Sequence, residues 1–261
     1  EHVFRTTVYL RNIKDDGLVL ISAHRWRSPF TINVPLSPLD TFFLPGEILE
    51  VTSEAIRGNS TKILLTEAEL YRQKEPEIEE CRGIEEEDFK FLKGAFVVLS
   101  TAWNNFFGSE TMRRICKNRD FLTSGSALKE IIGAGGGFTP SGDDFLAGML
   151  SLFSIARKCA SFDESYFPKI DKELLRRTSW ASSQYIKYAS MGLLDELVLD
   201  SAVSLLRGDE QDAYDLFLQL LRRGHDSGLY IWLGLITAYS IYKYRRVLFL
   251  EHVCKVMPVD G

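Results

Sequence analysis

Polar and apolar residues alternate in short runs through the first quarter of the chain, and this two-residue period marks strands with one buried face. The run Val3-Phe4-Arg5-Thr6-Thr7-Val8-Tyr9-Leu10 leads through the turn triplet Asp15-Asp16-Gly17 into Leu18-Val19-Leu20-Ile21-Ser22. That order predicts a hairpin. Further β-like pieces at 30–34, 48–51 and 62–65 are set apart by Pro35, Pro38, Pro45, Gly46 and Gly58, which suits a small barrel or sandwich over residues 1–71. Charge crowds the stretch 72–87 around Pro76, and we read it as a linker.

From residue 88 the apolar period lengthens to three or four, predicting helices over 89–107, 144–160, 172–191, 193–206, 212–221 and 229–244. Gly192, Gly208 and Gly224 fall where those helices should stop, at the left-handed cap position. The expected fold class is α+β, with a small N-terminal β barrel or sandwich domain (1–71), a charged linker (72–87) and a larger, mostly helical domain (88–261).

Charge and cysteine usage narrow the partners. With 45% hydrophobic and 26% charged residues the composition is that of a globular protein. The net charge of -5 lacks the basic surplus that phosphate backbones demand, so nucleic acid is not expected as a partner. Cys81, Cys116, Cys159 and Cys254 form no Cys-x-x-Cys pair and have no histidine at zinc spacing. Reduced, buried thiols are the expectation. Together with the lack of an apolar segment behind a basic start, they point to a cytoplasmic protein. The longest apolar run, 229–242, is shorter than the roughly 20 residues needed to cross a bilayer, so it reads as a core helix and no membrane contact is expected.

The least ordinary segment is Gly133-Ala134-Gly135-Gly136-Gly137-Phe138-Thr139-Pro140-Ser141-Gly142-Asp143-Asp144-Phe145-Leu146-Ala147-Gly148. Glycine at such density loses much chain entropy on folding, so the backbone there needs left-handed angles or close approach. Thr139 before Pro140 predicts an N-cap followed by proline at the first helical position. A glycine loop feeding a helix N-terminus offers free amides and a positive dipole end, which together receive phosphate or carboxylate. Gly135, Gly136, Gly137, Thr139, Ser141 and Gly142 are the candidate ligand-binding residues. The alternative is a tight packed loop whose Asp143 and Asp144 merely counter the macrodipole. The run fits neither the Walker nor the dinucleotide pattern. Two carboxylates beside an anion repel it, a conflict that Mg²⁺ bridging Asp143 or Asp144 to phosphate oxygens would resolve, as would a nearby arginine.

A second segment echoes the first: Ser141-Gly142 with Gly148 is matched by Ser227-Gly228 with Gly234. If both are helix starts facing one cavity, the loop Arg222-Arg223-Gly224-His225-Asp226-Ser227-Gly228 forms its other wall. Asp226, Ser227 and Gly228 then join the ligand-binding set, His225 becomes a general acid or base, and an arginine an anion clamp. Against this, Asp226 or Ser227 serves equally as an N-cap, and the arginines as partners of a helix C-terminus. A third polar cluster, Thr178, Ser179 and Ser182, lies inside an otherwise helical stretch and either permits close helix packing or lines a cavity.

Taken together, Gly137 through Gly148, then Thr178-Ser179 with Ser182, then Gly224-His225-Asp226-Ser227-Gly228 with Gly234, resemble a domain family that includes the AllH subunit of oxamate carbamoyltransferase. The strand Val3-Phe4-Arg5 and the turn Gly46-Glu47 fit it too. The resemblance implies a role in carbamoyl transfer between oxamate and phosphate during anaerobic use of allantoin, in company with two other kinds of subunit. The leading expectation is thus an enzyme, or an enzyme subunit, that binds a small anionic metabolite at the glycine loop, with Asp143, Asp144 and His225 as catalytic residues. The competing expectations are a non-catalytic scaffold subunit and a Mg²⁺-dependent hydrolase using Asp143 and Asp144.

Overall fold

A computed structural model describes residues 2–59, 61–76, 78, 81, 89–90, 92, 94, 96–97, 109–119, 125–159 and 162–255. The chain divides into two compact units, Glu1–Lys74 and Glu75–Gly261.

In the first unit, β1 (His2–Val3), β2 (Thr7–Arg11), β3 (Leu18–Ser22) and β4 (Thr31–Asn33) make a sheet in that order. The expected hairpin is present: β2 and β3 run antiparallel with Tyr9 opposite Leu20. Its turn is tied by Asp15, whose Oδ1 accepts the Gly17 amide at 2.9 Å, while Asp16 takes a left-handed φ of 64°. β4 joins β3 in parallel, Ile21 opposite Ile32. A second sheet holds β5 (Glu50–Val51), β6 (Ala55–Arg57) and β7 (Lys62–Leu64). Val8, Ile21, Val34, Leu39, Phe43 and Ile56 form the core of the unit. The sheets are not closed into a barrel, which removes that half of the expectation. The strands pair as two separate open sheets, β1-β2-β3-β4 and β5-β6-β7, with no ladder between them among the described residues. β6 was not anticipated, because Ala55 and Ile56 are adjacent and both buried, so the strand shows no alternation.

The second unit is helical. Its described helices are α1 (Glu110–Lys117), α2 (Gly125–Ile131), α3 (Ser141–Ala156), α4 (Lys172–Leu175), α5 (Trp180–Ser190), α6 (Glu196–Arg207), α7 (Glu210–Leu220), α8 (Ser227–Tyr244) and α9 (Leu248–Lys255). Of the helix expected over 89–107, residues 89, 90, 92, 94, 96 and 97 are described, and they are helical; the rest lies outside the described residues, as does most of the expected linker. The single helix expected over 172–191 is broken into α4 and α5. Ser179 caps α5, its hydroxyl accepting the Ser182 amide at 3.1 Å, so the hydroxyl competes successfully for the backbone although the apolar period continues. Gly192, Gly208 and Gly224 adopt φ of 73°, 88° and 66°, the left-handed conformation expected of helix stops.

α8 is the axis of this unit, buried along nearly its whole length, with Trp232 stacked on Phe217 at 4.8 Å. It packs on α3 so closely that glycine is required at both crossing points: a Cβ on Gly148 would stand 2.1 Å from the Ile231 carbonyl oxygen, and one on Gly234 2.1 Å from that of Phe145. Among the described residues no helix is long and apolar enough to cross a membrane.

The cysteine expectation is corrected. Cys81 pairs with Cys159, Cα atoms 6.0 Å apart, and Cys116 pairs with Cys254 at 5.7 Å. Partners separated by 78 and 138 residues leave no mark in local spacing, because only folding brings them together. The cytoplasmic expectation loses the support that reduced thiols gave it.

Candidate functional site

The loop 133–140 takes the backbone form its glycines suggest, with φ of 72° at Gly133, 105° at Gly135 and 92° at Gly137. Two of its amides are used internally: Gly133 donates to Asp143 Oδ1 at 2.8 Å and Ala134 to the Ile131 carbonyl at 3.0 Å. The amides of Gly135, Gly136, Gly137 and Thr139 have no hydrogen-bond partner among the described residues, and the three glycines are exposed. Helix α3 starts one residue later than the Thr-Pro pair suggests. Pro140 is the N-cap, φ -56° and ψ 141°, and no side chain caps the helix. Gly142 donates to Ala134 at 2.9 Å, while Asp143 and Asp144 donate to Pro140 at 2.9 and 3.2 Å. Most of the first helical turn is therefore satisfied by the loop, and the free donors lie upstream in the glycines.

The two adjacent aspartates have different surroundings. Asp143 is 2% exposed and holds three segments together: Oδ1 accepts from Gly133, Oδ2 accepts the Thr178 hydroxyl, and Ser182 faces the carboxylate without closing a bond of normal geometry. Burial pushes its carboxyl up, and the hydrogen bonds from Thr178 and Gly133 pull it back. Ser179, beside Thr178, donates to the Phe138 carbonyl at 3.0 Å and so fixes the far end of the glycine loop.

Asp144 lacks such satisfaction. Its Oδ2 is sealed from solvent and unpartnered, although the residue as a whole is only partly buried. Desolvation of this carboxyl raises its pKa to about 8; the Ser227 hydroxyl opposes the shift, and the charges of Asp143 and Asp226 add to it. Arg223 lies near enough to oppose the shift as well, but its Nη1 is engaged by Asp195 Oδ2 at 2.6 Å.

The two helix starts are cross-linked. The Ser141 hydroxyl donates to Asp226 Oδ2 at 2.9 Å, and Ser227 lies against Asp144. Asp226 is the N-cap residue of α8 but makes no side-chain cap bond, its carboxylate being given to Ser141 instead. His225 is 87% exposed, its Nδ1 3.9 Å from Asp226 Oδ1, at the rim of the group. Gly142 and Gly228 answer to packing: a Cβ would stand 2.0 Å from the Ile131 carbonyl oxygen in one case and 1.7 Å from that of Leu220 in the other.

Sequence reasoning missed Ser109, Thr111 and Tyr230. The Tyr230 hydroxyl is 2.8 Å from Ser109 Oγ, and a Cβ on Gly135 would stand 2.8 Å from Thr111 Oγ1, so the N-terminus of α1 flanks the same place. Burial pushes the Tyr230 phenol up, with the Asp226 and Asp144 charges adding to it. Ser109-Glu110 ahead of Met112 and Ile115 is an N-cap signal that marks α1. Among the described residues no three His, Cys, Asp or Glu side chains are grouped to hold a metal ion, and both Asp143 oxygens are already engaged.

Fold and site together define an α+β protein whose helical unit is organised around two cross-linked Ser-Gly helix starts, one carrying a glycine loop. Residues 131–239 match the family model of oxamate carbamoyltransferase subunit AllH, the family that the motifs resemble. The matched segment runs from the end of α2 into α8 and contains both helix starts. No curated protein and no solved structure matches the chain.

Proposed function

We propose that this chain is a subunit of a carbamoyl-transferring enzyme and that it binds a small phosphorylated or carboxylated metabolite at the loop of Gly135, Gly136 and Gly137. The observation that carries the reading is the set of unbonded amides at Gly135, Gly136, Gly137 and Thr139, the three glycines exposed, inside the segment similar to the AllH family. These donors hold the anion, Ser141 orders the loop's exit through Asp226, and Asp144 handles the proton. Asp143, Thr178, Ser179 and Ser182 position the loop rather than touch the ligand. His225, at the rim, is a secondary candidate for acid–base work. The Mg²⁺-dependent route has less behind it, because Asp143 is committed to Gly133 and Thr178.

A non-catalytic scaffold role has one observation in its favour: the amides of Gly142, Asp143 and Asp144 are already satisfied by Ala134 and Pro140, so the helix end itself is closed to an anion.

A thermal-shift titration with oxamate, carbamoyl phosphate and inorganic phosphate tests the reading, since a ligand that binds only the native state raises its melting temperature. A dose-dependent rise that Gly136→Ala weakens supports it. No rise with any of the three, alongside restored activity when the chain is added to partner subunits, favours the scaffold.

A further inference from the structure

The arrangement around Asp144 contains an electrostatic conflict that the binding reading must resolve. The glycine loop meets Ser141 closely, a Cβ on Gly135 standing 3.0 Å from the Ser141 amide nitrogen. Ser141 in turn donates to Asp226, and Asp226 and Asp143 both act on Asp144 as like charges. An anion on the loop thus arrives beside three carboxyl groups. The loop glycines are exposed, but around the sealed Asp144 oxygen such repulsion is poorly screened.

Among the described residues, the groups that act on Asp144 come from three elements. From its own helix there is Asp143, from the loop before α8 there are Asp226 and Arg223, and from α8 there are Ser227 and Tyr230. Arg223 is the single cation of this set, and Asp195 already neutralises it. Asp143 cannot give way without breaking its bonds to Gly133 and Thr178. Asp226 is engaged as the acceptor for the Ser141 hydroxyl. Asp144, with Oδ2 sealed and unpartnered, is the member that loses least by carrying a proton.

We propose that anion capture at the glycine loop is proton-coupled: the site accepts a small oxyanion, phosphate-like or carboxylate, only with a proton resident on Asp144. This rests on the reading of the loop as an anion site. The proton neutralises the one carboxyl of the three that has an oxygen sealed and unpartnered, so Asp144 gates the loop by its protonation state and needs no metal to do so. Its carboxyl, raised to about 8, places the transition in the range where a modest pH change alters occupancy.

The test uses calorimetric titration of the intact chain with sulfate and with oxamate, both fully ionised between pH 6.5 and 9.5. The expected result is an affinity that holds below pH 8 and falls about tenfold per pH unit above it. Above pH 8, titrations in two buffers of different ionisation heat should show uptake approaching one proton per anion bound. Asp144→Asn should bind with no pH dependence and no proton uptake. Equal affinity at pH 6.5 and 9.5 with no uptake overturns the coupling and leaves the anion site intact. Failure of both probes to bind at any pH removes the anion site itself, and the coupling with it. A pH dependence that survives in Asp144→Asn assigns the proton elsewhere and overturns the proposal. The buffer comparison on the unsubstituted chain decides the matter even if that variant folds poorly.

Discussion

Gly148 and Gly234 occupy equivalent places in a reciprocal contact, each lying where a Cβ would be 2.1 Å from a carbonyl oxygen of the other helix, Ile231 in one direction and Phe145 in the other. Each of those carbonyls sits three residues before its own helix's glycine, so α3 and α8 exchange the same contact. The same equivalence holds one turn and a half earlier, where Gly142 and Gly228 each press on the last carbonyls of the preceding helix. The repeated Ser-Gly spacing is thus a packing device that also fixes where the two helix starts meet.

Alanine at Gly148 or Gly234 should destabilise the helical unit by about 1–3 kcal/mol or more, because the neighbour met is backbone and cannot turn aside. Urea denaturation measures this. Gly136→Ala is the control: its Cβ meets nothing within 4 Å and its φ is not left-handed, so stability should change by less than about 1 kcal/mol.

Asp143→Ala should cost about 2–3 kcal/mol, since it removes two bonds to a charged acceptor and strands the Gly133 amide and the Thr178 hydroxyl. Thr178→Val, which removes one bond, should cost less. Chemical denaturation gives both values. If Asp143 proved neutral, its place as the tie between loop, α3 and the start of α5 would be lost.

The pH dependence of stability should carry the mark of Asp144. Its folded pKa, about 8, lies above the ordinary 3.8, so between those values the unfolded chain has released a proton that the folded chain keeps. Stability from this group is fully present below pH 3.8, falls as pH rises, by up to about 1.4 kcal/mol per unit, and levels off above 8. Asp144→Asn should therefore be more stable than the unsubstituted chain at pH 8 and above, with the difference shrinking toward pH 4. Denaturant midpoints at several pH values would show it.

Non-reducing peptide mapping should recover Cys81 linked to Cys159 and Cys116 linked to Cys254. Closing loops of 78 and 138 residues restricts the unfolded chain, so replacing either pair by serine should lower stability by about 2–4 kcal/mol. Free thiols at all four positions in the protein as isolated would contradict the pairing.

Much of the architecture was legible from local pattern. The hairpin, the cores of α3, α6, α7 and α8, and the stops at Gly192, Gly208 and Gly224 all follow from periods and turn residues. The break between α4 and α5 was not, because the apolar period runs through Thr178 and Ser179 while hydroxyl bonds to Asp143 and to the Ser182 amide end the helix there. The candidate site was legible as a segment but not as a set of roles. Adjacent residues of one type, Asp143 and Asp144, look alike in sequence.

What the chain determined by itself was the order of its elements, the glycine density at 133–137 and the repeated Ser-Gly starts, since these depend on local backbone preference and periodic burial. Tertiary structure alone decided that one aspartate is bonded at both oxygens and its neighbour at fewer, that Ser141 reaches Asp226 eighty-five residues away, and which cysteines meet. The physical reason is that solvation and partner choice are set by what folding brings within a few ångströms, and sequence distance does not encode it.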